Sequence, residues 1–248
     1  MSIQIKIVTI ALICLSVSSA HAALSFDRTR IIFNGADKRV SATVQNKNEK
    51  NPYLAQSWIE DERGNKNNLP FVVVPPLQRL NAGDVSQIRI ESIANLVATL
   101  PQDRESVYYF NLREIPPKSD KKNAIQIALQ TRIKLFYRPS DLVIEYGDVP
   151  YQNKLQVQPE GNEFIIKNPT PYYISVAGLV NTSSSNSSPE RHKSFMLDPF
   201  GDIRVSKSIG PTFSLVYIND YGAGQSLSIS CGQSDTQECH VLSADDKK

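Results

Sequence analysis

The stretch AIQIALQTRIKLFYRP, residues 124–139, contains the pattern that decides the fold. From Ile125 to Leu135 every odd position is apolar except Thr131, whereas the even positions are Gln, Ala, Gln, Arg and Lys. Alternation with a period of two is typical of an extended strand with one apolar and one largely polar face. The pattern predicts a strand over Ala124–Phe136, which would reach roughly 40 Å at about 3.3 Å per residue. Most strands have about five or six residues, so part of this apolar face could extend beyond the protein's own core.

Similar β-like runs fill the rest of the first half of the chain. Turn and strand-breaking signals separate them, among them Asn34-Gly35, Pro75-Pro76 and Pro116-Pro117. Several short strands at this spacing indicate an antiparallel sandwich of immunoglobulin type. The predicted strands are Leu24–Phe33, Arg39–Gln45, Tyr53–Asp61, Phe71–Val74, Val85–Glu91, Ser106–Glu114 and Ala124–Phe136.

The second half repeats this all-β pattern and predicts a second domain. Pro139 ends the long strand because proline has no N–H for a ladder, and Pro139–Pro150 has the features of an inter-domain connection. The length suits two domains of about a hundred residues each, predicted over residues 23–141 and 142–248. The predicted strands here are Leu155–Val157, Glu163–Lys167, Tyr172–Val180, Ser194–Leu197, Asp202–Val205, Thr212–Ile218, Ser226–Ser230 and His240–Leu242.

Residues 1–22 have the order of features found in a secretory signal peptide. Lys6 gives a weakly positive start, Ile7–Val17 is a continuous apolar run, and Ala20-His21-Ala22 is a small-x-small cleavage site. The apolar run is too short to span a bilayer, and the alternative is a buried N-terminal strand or helix. The pattern predicts export, removal of residues 1–22 and a mature chain that does not insert into a membrane.

Cys231 and Cys239 are the two cysteines that remain once the predicted signal peptide is removed. An even pair in an exported chain indicates a disulfide, whereas two free thiols are disfavoured in an oxidising compartment. Closing so short a loop would stabilise the fold by about 2–3 kcal/mol.

The sequence gives no positive indication of catalysis or of a bound cofactor. Neither His192 nor His240 lies in a nucleophile or metal-binding motif, and no C-x-x-C, G-x-S-x-G or H-E-x-x-H sequence is present. The formal net charge of +2 provides no basic field that would attract nucleic acid. We therefore expect no catalytic residues, no metal, no cofactor and no nucleic-acid partner.

The block LPQDRESVYYFNLREIP, residues 100–116, resembles the signature of the periplasmic pilus-assembly chaperones of the chaperone–usher pathway. The resemblance continues through residues 124–139 and spans nearly the whole mature chain. It implies two immunoglobulin-like domains in a boomerang arrangement, located in the periplasm. It also implies that the clients are pilus subunits lacking their last strand, which the chaperone completes with its own strand and delivers to an outer-membrane usher. The other matching segments are SFDRTRIIF (25–33), PYLAQSWIEDE (52–62), PPLQRLNAGD (75–84), NPTPYYISV (168–176) and YINDYG (217–222).

The resemblance assigns a client-binding role to five residues. Ile125, Ile127 and Leu129 match the family's alternating donor residues, although the pattern alone would favour their facing the chain's own core. Arg30 and Lys134 match the pair of cations that binds the client's C-terminal carboxylate, although each alone would be read as a solvated surface charge. Because Lys134 is even-numbered and the donor residues are odd-numbered, we expect a twist or bulge between them.

Glu105, Arg138 and Asp220 match a salt-bridge network between the two domains of the family. The resemblance implies that they hold the inter-domain angle, whereas singly each could form an ordinary surface ion pair worth under about 1 kcal/mol.

Two other functions remain open at this point. A pilus subunit usually ends in an amphipathic strand, which the terminal SADDKK does not match, and a periplasmic enzyme would need a catalytic constellation. Self-association of the free protein also remains possible.

Overall fold

The computed structural model describes residues 22–119, 123, 125–145, 147–182, 194–232 and 239–242. The predicted signal peptide lies outside the described residues except for Ala22, and so does Ala124 at the start of the predicted long strand. The strands are β1 (Leu24–Phe26), β2 (Arg30–Asn34), β3 (Arg39–Asn46), β4 (Tyr53–Glu60), β5 (Phe71–Val74), β6 (Leu77–Leu80), β7 (Val85–Ser92), β8 (Ser106–Ile115), β9 (Gln130–Arg138), β10 (Gln156–Glu160), β11 (Glu163–Lys167), β12 (Ile174–Asn181), β13 (Phe195–Leu197), β14 (Asp202–Ser206), β15 (Thr212–Ile218), β16 (Gly224–Ser230) and β17 (His240–Leu242).

Helical structure is sparse in the described part of the chain. The α-helix α1 covers Ala94–Val97, and short 3-10 helices cover Ser140–Leu142, Tyr151–Lys154 and Lys207–Ile209. No helix among the described residues is long and apolar enough to cross a bilayer. The all-β prediction is therefore confirmed, while β6 and α1 were not predicted from the sequence.

The first domain is a sandwich of two sheets. One sheet has the order β1-β3-β7-β5 and the other has the order β2-β9-β8-β4-β6. The pairing is antiparallel throughout these sheets except between β2 and β9, which run parallel. Alternate apolar side chains of both sheets meet in one core, whose largest fully buried members include Phe33, Phe110, Ile88 and Leu135.

The prediction of one strand over Leu24–Phe33 was wrong, because the chain changes sheets within it. β1 pairs with β3 in the first sheet, whereas β2 pairs with β9 in the second. Asp27 marks the break: its carboxylate accepts a hydrogen bond from the Thr43 backbone N–H at 2.9 Å. Both segments contain apolar residues for the same core, so the sequence pattern did not show the switch.

The predicted long strand begins later than expected. β9 starts at Gln130 instead of Ala124, and residues 125–129 lie outside any strand. The cause is the neighbouring strand: the Glu114 N–H still donates to the Leu129 carbonyl at 3.0 Å, but Pro116 and Pro117 follow and have no N–H. β8 therefore cannot continue the ladder beside the first half of the alternating run.

The second domain is also a two-sheet sandwich. Its sheets have the orders β10-β11-β14 and β13-β12-β15-β16-β17, and they enclose a separate core that includes Phe213, Leu179 and Ile166. The predicted disulfide between Cys231 and Cys239 is present and buried beside this core. The domain boundary that we predict after residue 141 falls within the 3-10 helix Ser140–Leu142 and stays a prediction.

Candidate functional site

The apolar side chains at residues 125–129 are exposed. Ile125 is 91%, Ile127 70% and Leu129 46% exposed, whereas Leu135 on the same face of the run is fully buried. Ile133, between them, is half-buried. The apolar face thus continues from the core of the first domain into solvent. Contiguous exposed apolar side chains are a common feature of protein interaction surfaces.

The same segment has an open backbone edge. β9 pairs along one edge with β8 from Gln130 to Tyr137, but along its other edge it pairs with β2 only from Lys134 onward. Residues 130–133 therefore have no ladder partner on the β2 side. An unpaired strand edge offers N–H and C=O groups to an added strand.

Two cations lie where this open edge ends. Arg30 is the first residue of β2 and stands in register with Lys134 of β9. The Lys134 ammonium donates to Ser175 Oγ at 2.9 Å, and Arg30 Nη1 donates to the Ile218 carbonyl at 3.0 Å. Both acceptors belong to the second domain, so the pair lies between the domains.

The two cations lack acidic partners among the described residues. Neither forms a salt bridge there, and Arg30 Nε is buried without a hydrogen-bond acceptor. Burial lowers the pKa of Lys134, and the positive charge of Arg30 lowers it further. Burial also lowers the pKa of Arg30, although the nearby Tyr151 and acidic groups oppose this. An anion bound here would compensate both charges and would accept a hydrogen bond from the free Arg30 Nε–H.

A buried ion cluster joins the domains near this cation pair. Arg138 Nε lies 2.8 Å from Glu105 Oε1, and Arg138 Nη1 lies 2.8 Å from Asp220 Oδ2. Glu105 Oε2 accepts from the Tyr173 N–H at 2.8 Å, and Asp220 Oδ1 accepts from the Tyr151 hydroxyl at 3.1 Å. The structure thus brings Glu105, Arg138 and Asp220 into direct contact, while their role in setting the inter-domain angle stays a prediction.

The cluster shifts the titration of its members. Burial raises the pKa of Glu105 to about 7, although the Arg138 charge and the Tyr173 N–H act in the opposite direction. Burial would lower the pKa of Arg138, but the charges of Glu105 and Asp220 outweigh it and raise that pKa above its usual range. Removing one partner would leave the other as an uncompensated buried charge.

We expected a twist or bulge between Lys134 and the donor residues, and the part of β9 from Gln130 to Tyr137 contains no bulge. The β8–β9 register is continuous from Gln130 to Tyr137, so odd and even side chains keep to opposite faces of the strand. The two groups lie at different places along this edge, so they need not share a face. The odd residues offer apolar side chains along the edge, and Lys134 stands with Arg30 at the end of that edge.

The polar face of β9 carries a network that the sequence did not reveal. Arg132 Nε lies 2.6 Å from Glu60 Oε1, and the Arg132 guanidinium covers the Tyr109 ring at 3.4 Å. Glu60 Oε2 also accepts from the Trp58 indole N–H at 3.1 Å. These contacts link three neighbouring strands, and no residue spacing in the sequence predicts them. Ser175 and Ile218 were missed for the same reason, since their contacts depend on domain packing.

No group of three or more His, Cys, Asp or Glu residues in the described part of the chain is placed to hold a metal ion.

Two family models cover most of the chain. The model described as "Pili and flagellar-assembly chaperone, PapD N-terminal domain" matches residues 23–143, and "Pili assembly chaperone PapD, C-terminal domain" matches residues 150–229. The chain belongs to this family of pilus-assembly chaperones.

Similar proteins agree with that assignment. This chaperone is 41% identical to the probable fimbrial chaperone YfcS of Escherichia coli K12 over 95% of its own length and 94% of that protein. It is 42% identical to the chaperone protein PapD of Escherichia coli, over 94% of its own length and 96% of PapD. The crystal structure of the periplasmic chaperone SfaE has a TM-score of 0.66 and 31% identity, over 83% of this chain and 98% of SfaE.

Proposed function

We propose that this chaperone binds pilus subunits by donor-strand complementation and delivers them to an outer-membrane usher. The observation that carries the proposal is the exposed alternating run Ile125, Ile127 and Leu129 beside an open strand edge. That edge ends at two cations that form no salt bridge with the described residues. Strand addition to such an edge is an established mode of recognition in chaperone–pilin complexes. The function is binding, and the chain is proposed not to be an enzyme.

The geometry indicates how a client strand would run. β2 occupies the outer edge of β9 from Lys134 onward, so a client strand along residues 125–133 would lie in line with β2. If the client's C-terminal carboxylate binds Arg30 and Lys134, its C-terminus points toward residue 134. The client strand would then run parallel to β9, as β2 does.

The energetics combine an apolar and a charged contribution. Full burial of a Leu or Ile side chain stabilises a complex by about 1.5–3 kcal/mol, and a charge-assisted hydrogen bond contributes about 1.5–3 kcal/mol. The carboxylate contact also fixes register, because a slip of one residue would turn every side chain of the client strand to the other face. The exposed run provides affinity, and the cation pair selects the strand terminus.

The proposed location is the periplasm. The signal-peptide pattern of residues 1–22 supports it, and so does the similarity to SfaE, a chaperone described as periplasmic. The periplasm is also an oxidising compartment, in which the Cys231–Cys239 disulfide would persist.

Co-purification of a pilus subunit tests the proposal. We expect Arg30→Ala and Lys134→Ala each to abolish recovery of a co-expressed subunit from the periplasm, while far-UV circular dichroism shows a folded chaperone. Lys50→Ala, which removes a cation from an exposed loop, is the matched control and should leave recovery unchanged. Normal subunit recovery with both cation variants would contradict the proposed mechanism.

A second arm varies the client. Deleting the C-terminal residues of the subunit should abolish the complex with the wild-type chaperone, because it removes the strand that pairs with β9. A complex that survives this deletion would place the binding surface elsewhere.

A further inference from the structure

The turn between β15 and β16 contacts the first domain at three places around the cation pair. The Ile218 carbonyl accepts from Arg30 Nη1 at 3.0 Å, and Asp220 pairs with Arg138 at 2.8 Å. The backbone of Gly222 packs against Thr29, the residue that precedes Arg30. One turn of the second domain therefore borders the arginine on which the proposed carboxylate site depends.

The turn is held in shape by its own hydrogen bonds. Asn219 Oδ1 accepts from the N–H groups of Tyr221 at 3.1 Å and Ala223 at 2.9 Å. The Asn219 N–H donates to the Ala223 carbonyl at 2.9 Å, and the Gly222 N–H donates to the Asn219 carbonyl at 3.0 Å. These bonds tie Gly222 to Asn219, the residue that follows Ile218 in the chain.

Two features of the Gly222 position favour glycine over residues that carry a Cβ. Its φ is +85°, in the left-handed region that glycine adopts without a steric penalty. A Cβ at this position would also overlap Thr29 Oγ1. Gly64 has a similar φ of +82° but stands in open space, so backbone conformation and close approach can be separated experimentally.

We propose that Gly222 is a positioning residue for Arg30. Its missing side chain lets the turn approach Thr29, which brings the Ile218 carbonyl to Arg30 Nη1 and orients the guanidinium for a client's terminal carboxylate. In this arrangement the second domain completes the carboxylate site of the first. The inference rests on the proposed function and adds to it a residue outside both the cation pair and the ion cluster.

A pair of peptides provides the test. The probe is a synthetic peptide of about ten residues that alternates valine and threonine, long enough to lie along residues 125–133 at about 3.3 Å per residue. One form ends in a free carboxylate and the other in an amide. We expect the wild-type chaperone to bind the carboxylate form at least about tenfold more tightly, as charge-assisted hydrogen bonds allow.

Substitutions at the contact should change this ratio. In Gly222→Ala we expect the ratio to fall to within about twofold, with the affinity for the amide form unchanged, because only the charged contact is misplaced. The double variant Gly222→Ala with Thr29→Ala removes the overlapping oxygen and should restore the ratio. Gly64→Ala introduces similar backbone strain in open space and should leave the ratio at the wild-type value.

A second variant covers the case in which Gly222→Ala does not fold. Thr29→Leu presses on the same turn from the first domain while the glycine is kept, and we expect it to lower the ratio in the same way.

The outcomes separate the proposed function from the inference about Gly222. A wild-type chaperone that does not distinguish carboxylate from amide contradicts the proposed function and the inference with it. A wild type that distinguishes them, with Gly222→Ala and Thr29→Leu keeping the full ratio, contradicts the inference alone.

Discussion

The two halves of the alternating run have the same sequence pattern and opposite surroundings. Leu135 is fully buried, whereas Leu129, on the same face of the same run, is 46% exposed, and Ile125 is 91% exposed. The difference comes from the neighbours: β8 and the facing sheet cover the second half, but β8 ends at Ile115, before the two prolines. Periodicity therefore shows that an apolar face exists, and the neighbouring strands decide what covers it.

The comparison also separates stability from binding. The buried half packs into the core of the first domain and stabilises it. The exposed half contributes little to that core. In the proposed function a client covers these exposed side chains. Substitutions in the two halves should therefore affect different measurements.

Leu135→Ala should have the largest effect on stability. Removing a fully buried Leu side chain leaves a cavity and costs about 2–5 kcal/mol, whereas Leu129→Ala should cost under about 1 kcal/mol. Thermal or denaturant unfolding of the two variants measures this difference directly. Equal losses of stability would show that the free protein buries its exposed half, for instance by self-association.

The pH dependence of stability should test the last residue of β9, Arg138, which pairs with Glu105. Burial raises the pKa of Glu105 to about 7 from 4.5, so the folded state binds this proton more tightly than the unfolded state. Stability from this group is then greatest at low pH and declines as pH rises from about 4.5 to about 7, by up to about 3 kcal/mol.

Glu105→Gln is the control for that pH dependence, because it keeps the shape and cannot titrate. The free energy of unfolding of wild type minus that of the variant should fall between pH 5 and pH 7.5. A difference that is constant, or that rises with pH, would mean that the ion pair with Arg138 outweighs burial.

Ile127→Ser should have the smallest effect on stability and a clear effect on binding. The side chain is 70% exposed, so we expect unfolding to change by under about 0.5 kcal/mol. Loss of its burial in a client groove should weaken binding by about tenfold to a hundredfold. Titration of the carboxylate-terminated peptide by fluorescence or calorimetry measures this, and an unchanged affinity would remove Ile127 from the binding surface.

The sequence predicted the sandwich class well because strands that bury one face must alternate. It also contained the reason why β9 starts late, since Pro116-Pro117 cannot continue a ladder, but that consequence depends on which strand lies beside it. The pairing of Arg30 with Lys134 could not be obtained from the sequence pattern, because it depends on a parallel register between residues more than a hundred positions apart. Ser175, Ile218 and Gly222 enter only through the packing of the second domain. Family resemblance indicated a role for Arg30 and Lys134, but their contacts with the second domain could be seen only in the fold.

The most direct test of the central claim is hydrogen–deuterium exchange of the backbone amides, measured with and without the carboxylate-terminated peptide. The open edge of β9 leaves residues 130–133 without ladder partners on one side, and residues 125–129 lie outside any strand. We predict that the peptide slows exchange within residues 125–133 and that Lys134→Ala abolishes this protection. Unchanged exchange in residues 125–133, with protection appearing at another strand edge, would contradict the account.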